Sequence, residues 1–432
     1  MTDFQQLSPQ ERKVIRSQLA ERYRKFQSRK ITLDITRGKP CSEQLDLSMA
    51  MLGVLDSNHY KTADGADCRN YGGLDGIPEA KKLFADFMGV GAEEIIIGGN
   101  ASLTMMHDTF MRAMVNGMAE GSPAWVKLPK VKFLCPSPGY DRHFSICEYL
   151  GIEMITVDLK EDGPDMDVVE DLAARDGSIK GIWCVPMYSN PTGIVYSDET
   201  VDRLARMQTR ADDFRIFWDN AYGVHHLVKE PVRLKNILAA CKQAGNPDRV
   251  LMWGSTSKIT FASAGVAIMA GSSYNMARAR QQMKFQTIGP DKLNQLRHVR
   301  FFNDMAGIED HMKKHAAILK PKFDAVQNVL ASELGGKNIA DWSKPEGGYF
   351  VSLDTMKGCA SAIIGLAAEA GVKLTPAGSA FPYKKDPLDR NIRIAPSFPT
   401  LEEIRAAMEL VCVCIQLVSI DKMAGAQSVS VI

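Results

Sequence analysis

Between about residues 95 and 270 seven short apolar runs recur: "IIIGG", "VKFLCP", "EMITVDL", "GIWCVP", "FRIFWD", "RVLMWG" and "GVAIMAG". Segments of helical spacing, such as "SLTMMHDTFMRAM" and "SDETVDRLARMQTR", lie between several of them. Strands that alternate with helices pair in parallel, and the helices then cover both faces of the sheet. The chain is therefore expected to be α/β, with a seven-stranded, mainly parallel sheet between helices.

A chain of 432 residues exceeds the size at which one core stops growing, so two lobes are expected. Past a helical region at about 272–333 the texture changes to "EGGYFVSLD", "GVKLTPAGSAFPY" and "NIRIAPSFPT", followed by a last helix. This reads as a smaller α+β lobe. The opening helix, started by a capping box of Ser8 and Glu11, is expected to pack with it and make it discontinuous. The boundaries so read are 49–325 for the large domain and 1–48 with 326–432 for the small one.

A net charge of +1 implies no broad attraction to nucleic acid or membrane. Nine scattered cysteines without a C-x-x-C pair read as reduced thiols in a cytoplasmic protein. The start has no apolar core of signal-peptide type, and "LVCVCIQLVSI" near the end is too short and polar to cross a bilayer. His311 and His315, four apart, read as a solvated helix face and not a metal site, since the Glu of H-E-x-x-H and a third ligand are missing.

In a parallel α/β sheet ligands gather at the carboxyl ends of the strands. There the sequence places "GGNAS" after "EEIII", "SNPTG" after "GIWCVP", "DNAY" after "FRIFW" and "GSTSK" after "RVLMW". Asn190, Asp219, Tyr222 and Lys258 thus meet at one sheet edge. Singly each has a plain reading: a turn residue before proline, an N-cap, a packed aromatic, a solvated lysine. Jointly they supply what pyridoxal phosphate needs: an amine to condense with its aldehyde, a carboxylate to keep the pyridine nitrogen protonated, and donors for the ring oxygen. The glycines of "GGNAS", opening a helix, suit the phosphate dianion.

With "YGGLDG", "GGNAS", "PGYDRHF", "SNPTG", "DNAY", "GSTSK" and "NIRIAPS" in order from residue 71 to 397, the sequence resembles fold-type-I pyridoxal-phosphate enzymes of the aspartate aminotransferase superfamily, in a less common subgroup. The resemblance implies that Lys258 bonds the cofactor and later carries the Cα proton, and that Asp219 pairs with the ring nitrogen. It implies that Asn190 and Tyr222 bind the ring 3-oxygen, that Gly99, Asn100, Ala101 and Ser255 cradle the phosphate, and that Tyr140 stacks on the ring. Arg393 would grip the substrate α-carboxylate beside Asn190, with Gly38 over it. Tyr71 would reach the phosphate of a neighbouring subunit, which implies a homodimer with shared sites. One departure stands out: many relatives carry an arginine about eight residues after the lysine, where this chain has Val266.

Arg393 leaves the Cα–H bond to be broken, as transamination requires. The resemblance implies a ping-pong transfer of the amino group from an amino acid, foremost aspartate, to 2-oxoglutarate. A second cation would bind a distal carboxylate, with Arg142 first and Arg37 and Lys292 as alternatives. Transamination of α-aminoadipate, kynurenine or aromatic amino acids, β-elimination, and a non-enzymatic effector-binding role remain open at this point.

Overall fold

The computed structural model describes residues 3–30 and 32–425. The opening helix, Pro9–Ser28, starts at Ser8, whose backbone N–H donates to Glu11 Oε2 at 2.8 Å while Ser8 Oγ accepts from the Glu11 N–H at 3.3 Å. The capping box is therefore present as read. After the helix the chain forms a two-residue strand, β1 (Leu33–Asp34), and then enters the large lobe.

The large sheet has eight strands: β2 (Ile95–Ile97), β3 (Lys132–Ser137), β4 (Glu153–Lys160), β5 (Gly163–Pro164), β6 (Ile179–Cys184), β7 (Arg215–Asp219), β8 (Val250–Ser255) and β9 (Ala267–Gly271). Their order is β2-β9-β8-β7-β6-β3-β4-β5. Neighbours from β4 through β3, β6 and β7 to β8 run parallel, while β9 is antiparallel to both β8 and β2. All seven expected runs are strands. The eighth, Gly163–Pro164, pairs antiparallel with β4 and was not expected, because two residues carry no periodic signal.

Alternate residues of each central strand enter opposite cores. Ile216 and Trp218 join one with Ile182 and Met252, while Phe217 joins the other with Trp183 and Trp253. Period-two side chains that are apolar on both sides require cover on both faces, which is why these strands read as continuous apolar runs. Each large side chain so buried contributes roughly 1.5–3 kcal/mol.

In the small lobe β10 (Ala340–Trp342), β11 (Val351–Thr355) and β13 (Asn391–Ile394) form an antiparallel sheet, and β12 (Val372–Lys373) pairs in parallel with β1. That last pairing stitches the N-terminal segment to the C-terminal one. The helix Leu401–Met423 holds the apolar "LVCVCIQLVSI" stretch inside this core. No helix among the described residues is long and apolar enough to cross a membrane. The helix Met305–Leu334 links the lobes: Ile308 and Met312 pack in the large-lobe core, and Leu319 through Leu334 in the small-lobe core.

The expectation of a solvated His311–His315 face is corrected here. Both side chains are buried, on the stripe shared with Ile308, Met312 and Leu319. All nine cysteines are free and buried.

Candidate active site

Parallel β6, β7 and β8 end side by side, so the turns after them meet. Asp219 is the last residue of β7, in register with Trp253 of β8, and is buried. Its Oδ2 lies 3.0 Å from His143 Nε2, while Oδ1 is buried without a hydrogen-bond partner. His143 comes from the helix Asp141–Tyr149 and stacks on Trp183, with centroids 4.0 Å apart and planes 5° apart. Sequence reasoning missed His143. The available signal was its place three residues after Tyr140, on the helix that opens behind the β3 strand end.

Lys258 sits in a tight turn after β8, where the N–H groups of Ile259 and Thr260 both donate to the Thr256 carbonyl, at 2.9 and 2.8 Å. Its Nζ is 5.1 Å from the centroid of the Tyr222 ring. Burial pushes the amine pKa below the usual lysine range, partly opposed by the Asp219 carboxylate. Tyr222 is buried, lies 6.0 Å from Tyr349 in a stacked pair, and its phenol is held well above its ordinary pKa by burial.

Gly99, Asn100 and Ala101 join β2 to the helix Ser102–Asn116. Ala101 is the N-cap and makes no side-chain cap bond; the Thr104 N–H donates to the Ala101 carbonyl at 3.2 Å, which leaves the Ser102 and Leu103 N–H groups for an anion. Ser257 Oγ donates to the Asn100 carbonyl at 2.8 Å, and Asn100 Nδ2 to that of Ser263 at 3.2 Å, which ties this loop to the lysine turn. Ser255 closes β8 beside Ala267. Val266 is buried in the large-lobe core, and its N–H is bound by Thr256 Oγ1 at 2.8 Å, so that position brings no side chain to the cradle.

Arg393, on β13, is buried. Its Nη1 is 3.3 Å from Asn190 Oδ1 and 3.5 Å from Asp141 Oδ1, and its Nη2 is 3.3 Å from Thr375 Oγ1 and 3.4 Å from the Thr36 carbonyl. Nε is buried without a partner. Long contacts and a free N–H leave this guanidinium with capacity for a carboxylate. Its Cζ lies 5.0 Å over the Phe350 ring, the same ring that an added Cβ on Gly38 would strike at 2.5 Å. Only glycine fits there, between the loop and the pocket wall.

The structure thus brings Lys258, Asp219, Tyr222, Asn190, Arg393 and Gly38 together, with Tyr140 edge-on to His143 at 4.9 Å. Tyr71 and Lys292 pair with one another: Lys292 Nζ donates to the Tyr71 carbonyl at 3.0 Å, and the Tyr71 side chain is 83% exposed. Arg142 and Arg37 are exposed. The residues present fit pyridoxal phosphate: an unpartnered buried carboxylate oxygen for a protonated ring nitrogen, a desolvated amine one strand away, and an uncapped helix start for the dianion.

The sequence profile of the family described as aspartate amino-transferase matches residues 7–427. An aspartate aminotransferase of Corynebacterium glutamicum is 44% identical over 407 residues, covering 94% of this chain and 94% of that protein. The crystal structure of an aspartate transaminase from Corynebacterium glutamicum superimposes with a TM-score of 0.95 at 43% identity, covering 98% of this chain and 99% of the other. The fold is shared with the alpha-aminoadipate aminotransferase of Thermus thermophilus, solved with N-(5'-phosphopyridoxyl)-L-leucine, at a TM-score of 0.74 and 19% identity over 90% of this chain and 92% of that one. This chain belongs to the aspartate amino-transferase family and is an aminotransferase.

Proposed function

We propose that the chain holds pyridoxal 5'-phosphate through Lys258 and transfers the amino group of aspartate to 2-oxoglutarate by a ping-pong route, as a cytoplasmic homodimer. The observation that carries this reading is the buried, unpartnered Asp219 Oδ1 beside a desolvated Lys258. When bound, the cofactor supplies an aldehyde for exchange of amines and a ring that accepts the electron pair released at Cα.

Asp219 Oδ1 would accept the hydrogen of the protonated ring nitrogen, while His143 fixes the other oxygen. Asn190 turns its Oδ1 to Arg393, which leaves its amide N–H groups free, and with the Tyr222 hydroxyl they would bind the ring 3-oxygen. The Gly99–Ala101 loop and Ser255 would hold the phosphate, with backbone N–H groups in place of an arginine at position 266. Arg393 orients the α-carboxylate under Gly38. Lys258 Nζ, whose lowered pKa favours the neutral amine, would take the Cα proton and pass it to the cofactor carbon that carried the aldehyde. Arg142 is the first candidate for the distal carboxylate, ahead of Arg37 and Lys292. Aspartate is supported by the 44% identical relative that bears that name.

A visible absorption spectrum of the cofactor-loaded protein, titrated with aspartate, glutamate and a panel of other amino and keto acids, ranks the substrates directly. Borohydride reduction followed by peptide mass analysis should place the cofactor on Lys258. A protein that stays colourless and traps nothing at that position overturns the reading.

A further inference from the structure

Four of the eight histidines of the chain surround the single turn that carries Lys258. His298 Nε2 lies 3.0 Å from both Thr256 Oγ1 and Thr260 Oγ1. His225 Nε2 is 3.3 Å from the Lys258 carbonyl, and His311 Nε2 is 2.9 Å from the Ile259 carbonyl, with His315 Nε2 3.1 Å from His311. A carbonyl only accepts, so His225 and His311 each carry their hydrogen on Nε2.

The direction of the bonds that reach Tyr349 follows from Gln44, in the short helix Ser42–Asp46 just after the Gly38 loop. The Cys41 N–H donates to Gln44 Oε1 at 3.2 Å, which leaves Gln44 Nε2 as the donor to His315 Nδ1 and to Tyr349 Oη, both at 2.9 Å. Tyr349, whose lone pair is thus engaged, is free to donate its own hydrogen to the Lys258 carbonyl at 3.4 Å. Gln44 and Tyr349 are both fully buried. A one-way chain of hydrogen bonds therefore runs from the Cys41 backbone through Gln44 and Tyr349 to the peptide of Lys258. Its starting segment also carries Gly38, and an added Cβ there would stand 3.2 Å from Tyr349 Cβ.

We propose that Gln44 and Tyr349 are positioning residues for Lys258, coupling the seating of the substrate-side Gly38 loop to the attitude of the lysine turn. Neither side chain need touch substrate. The ordering of the loop over a bound carboxylate is transmitted to the peptide from which the proton-carrying amine extends. The inference rests on Lys258 being the cofactor lysine, which borohydride trapping tests separately.

The experiment uses Gln44→Met, which keeps length and removes both donors, and Tyr349→Phe, which removes one hydroxyl and keeps the ring. In the cofactor-loaded protein, kcat should fall roughly five- to tenfold in either variant, the effect of weakening the single hydrogen bond by which this chain reaches the Lys258 carbonyl, with KM for the amino acid changed less than about twofold. Hydrogen exchange should speed up in the peptide containing Ser257–Thr260, and not in the β6 peptide Ile179–Cys184. If Gln44→Met fails to fold, Tyr349→Phe decides. Parental kcat with parental exchange at the lysine turn overturns the proposal, and so does acceleration of exchange spread evenly over the chain. The exchange readout does not depend on whether the trap at Lys258 succeeds, so the two failures are distinguishable.

Discussion

Asp219 gives one carboxylate oxygen to His143 at 3.0 Å and keeps the other buried and unpaired. An orphaned buried acceptor costs roughly 1–3 kcal/mol, which a native protein tolerates where a ligand supplies the missing donor. Asp219→Asn presents a neutral amide to the ring nitrogen and should lower kcat/KM by about two to three orders of magnitude. His143→Asn leaves the carboxylate but loosens it, and about tenfold is expected. Steady-state kinetics on both variants check the ranking; a larger loss from His143 than from Asp219 would contradict the assignment of the carboxylate as the ring partner.

Arg393 and Arg142 should separate by substrate. Arg393→Lys removes the planar fork from a group that every amino acid shares, so kcat/KM should fall by about a hundredfold for aspartate and for an uncharged amino acid alike. Arg142→Ala should weaken aspartate selectively. Equal losses on both substrates in the Arg142 variant end its assignment and pass it to Arg37 or Lys292.

What the sequence shows and hides divides along physical lines. The long β-strands are legible because burial on both faces writes continuous apolar runs, and the Ser8–Glu11 box is legible because its bonds span three residues. Asn190, Asp219 and Lys258 are legible because parallel strands must end at one edge. His143 is not, since which turn of the Asp141–Tyr149 helix faces β7 is decided by packing on Trp183. Nor are Gln44 and Tyr349, whose partners lie hundreds of residues away. Spacing alone misleads for His311 and His315. The correcting signal is there: they share a stripe with Ile308, Met312 and Leu319, so the face they occupy points inward.

Burial of the histidines around Lys258 makes stability depend on pH. Desolvation is the main cause that pushes His225 down to about 3 and His298 and His315 to about 4, against about 6.5 when unfolded. Between those values the unfolded chain binds more protons, so stability rises with pH there. It is fully present above about pH 6.5 and is lost as pH falls toward 4. Each histidine contributes a slope of about 1.4 kcal/mol per pH unit, so the three together give about 4 near pH 5. Urea unfolding at several pH values should show this, and His315→Gln should reduce the slope by about a third. A midpoint that stays flat from pH 7 to 5 contradicts the buried neutral state.

Tyr71 is 83%, Phe285 95% and Ile288 64% exposed, and the loops that carry them touch, since an added Cβ on Gly289 would stand 2.8 Å from the Gly72 carbonyl. Large apolar groups gathered at a surface suit an interface between chains, as the proposed homodimer requires. If a second copy covers them, the Tyr71 hydroxyl reaches the neighbouring phosphate cradle, and each site needs two chains. Phe285→Asp should therefore yield a monomer by light scattering and lose most activity. Complementation gives the sharper reading. Lys258→Ala and Tyr71→Phe chains are each impaired alone, but mixed after mild dissociation half of the dimers hold one chain of each kind. Such a dimer has one intact site, so about a quarter of parental activity should return. No recovery from a mixture proven to be heterodimeric means that Tyr71 serves its own subunit.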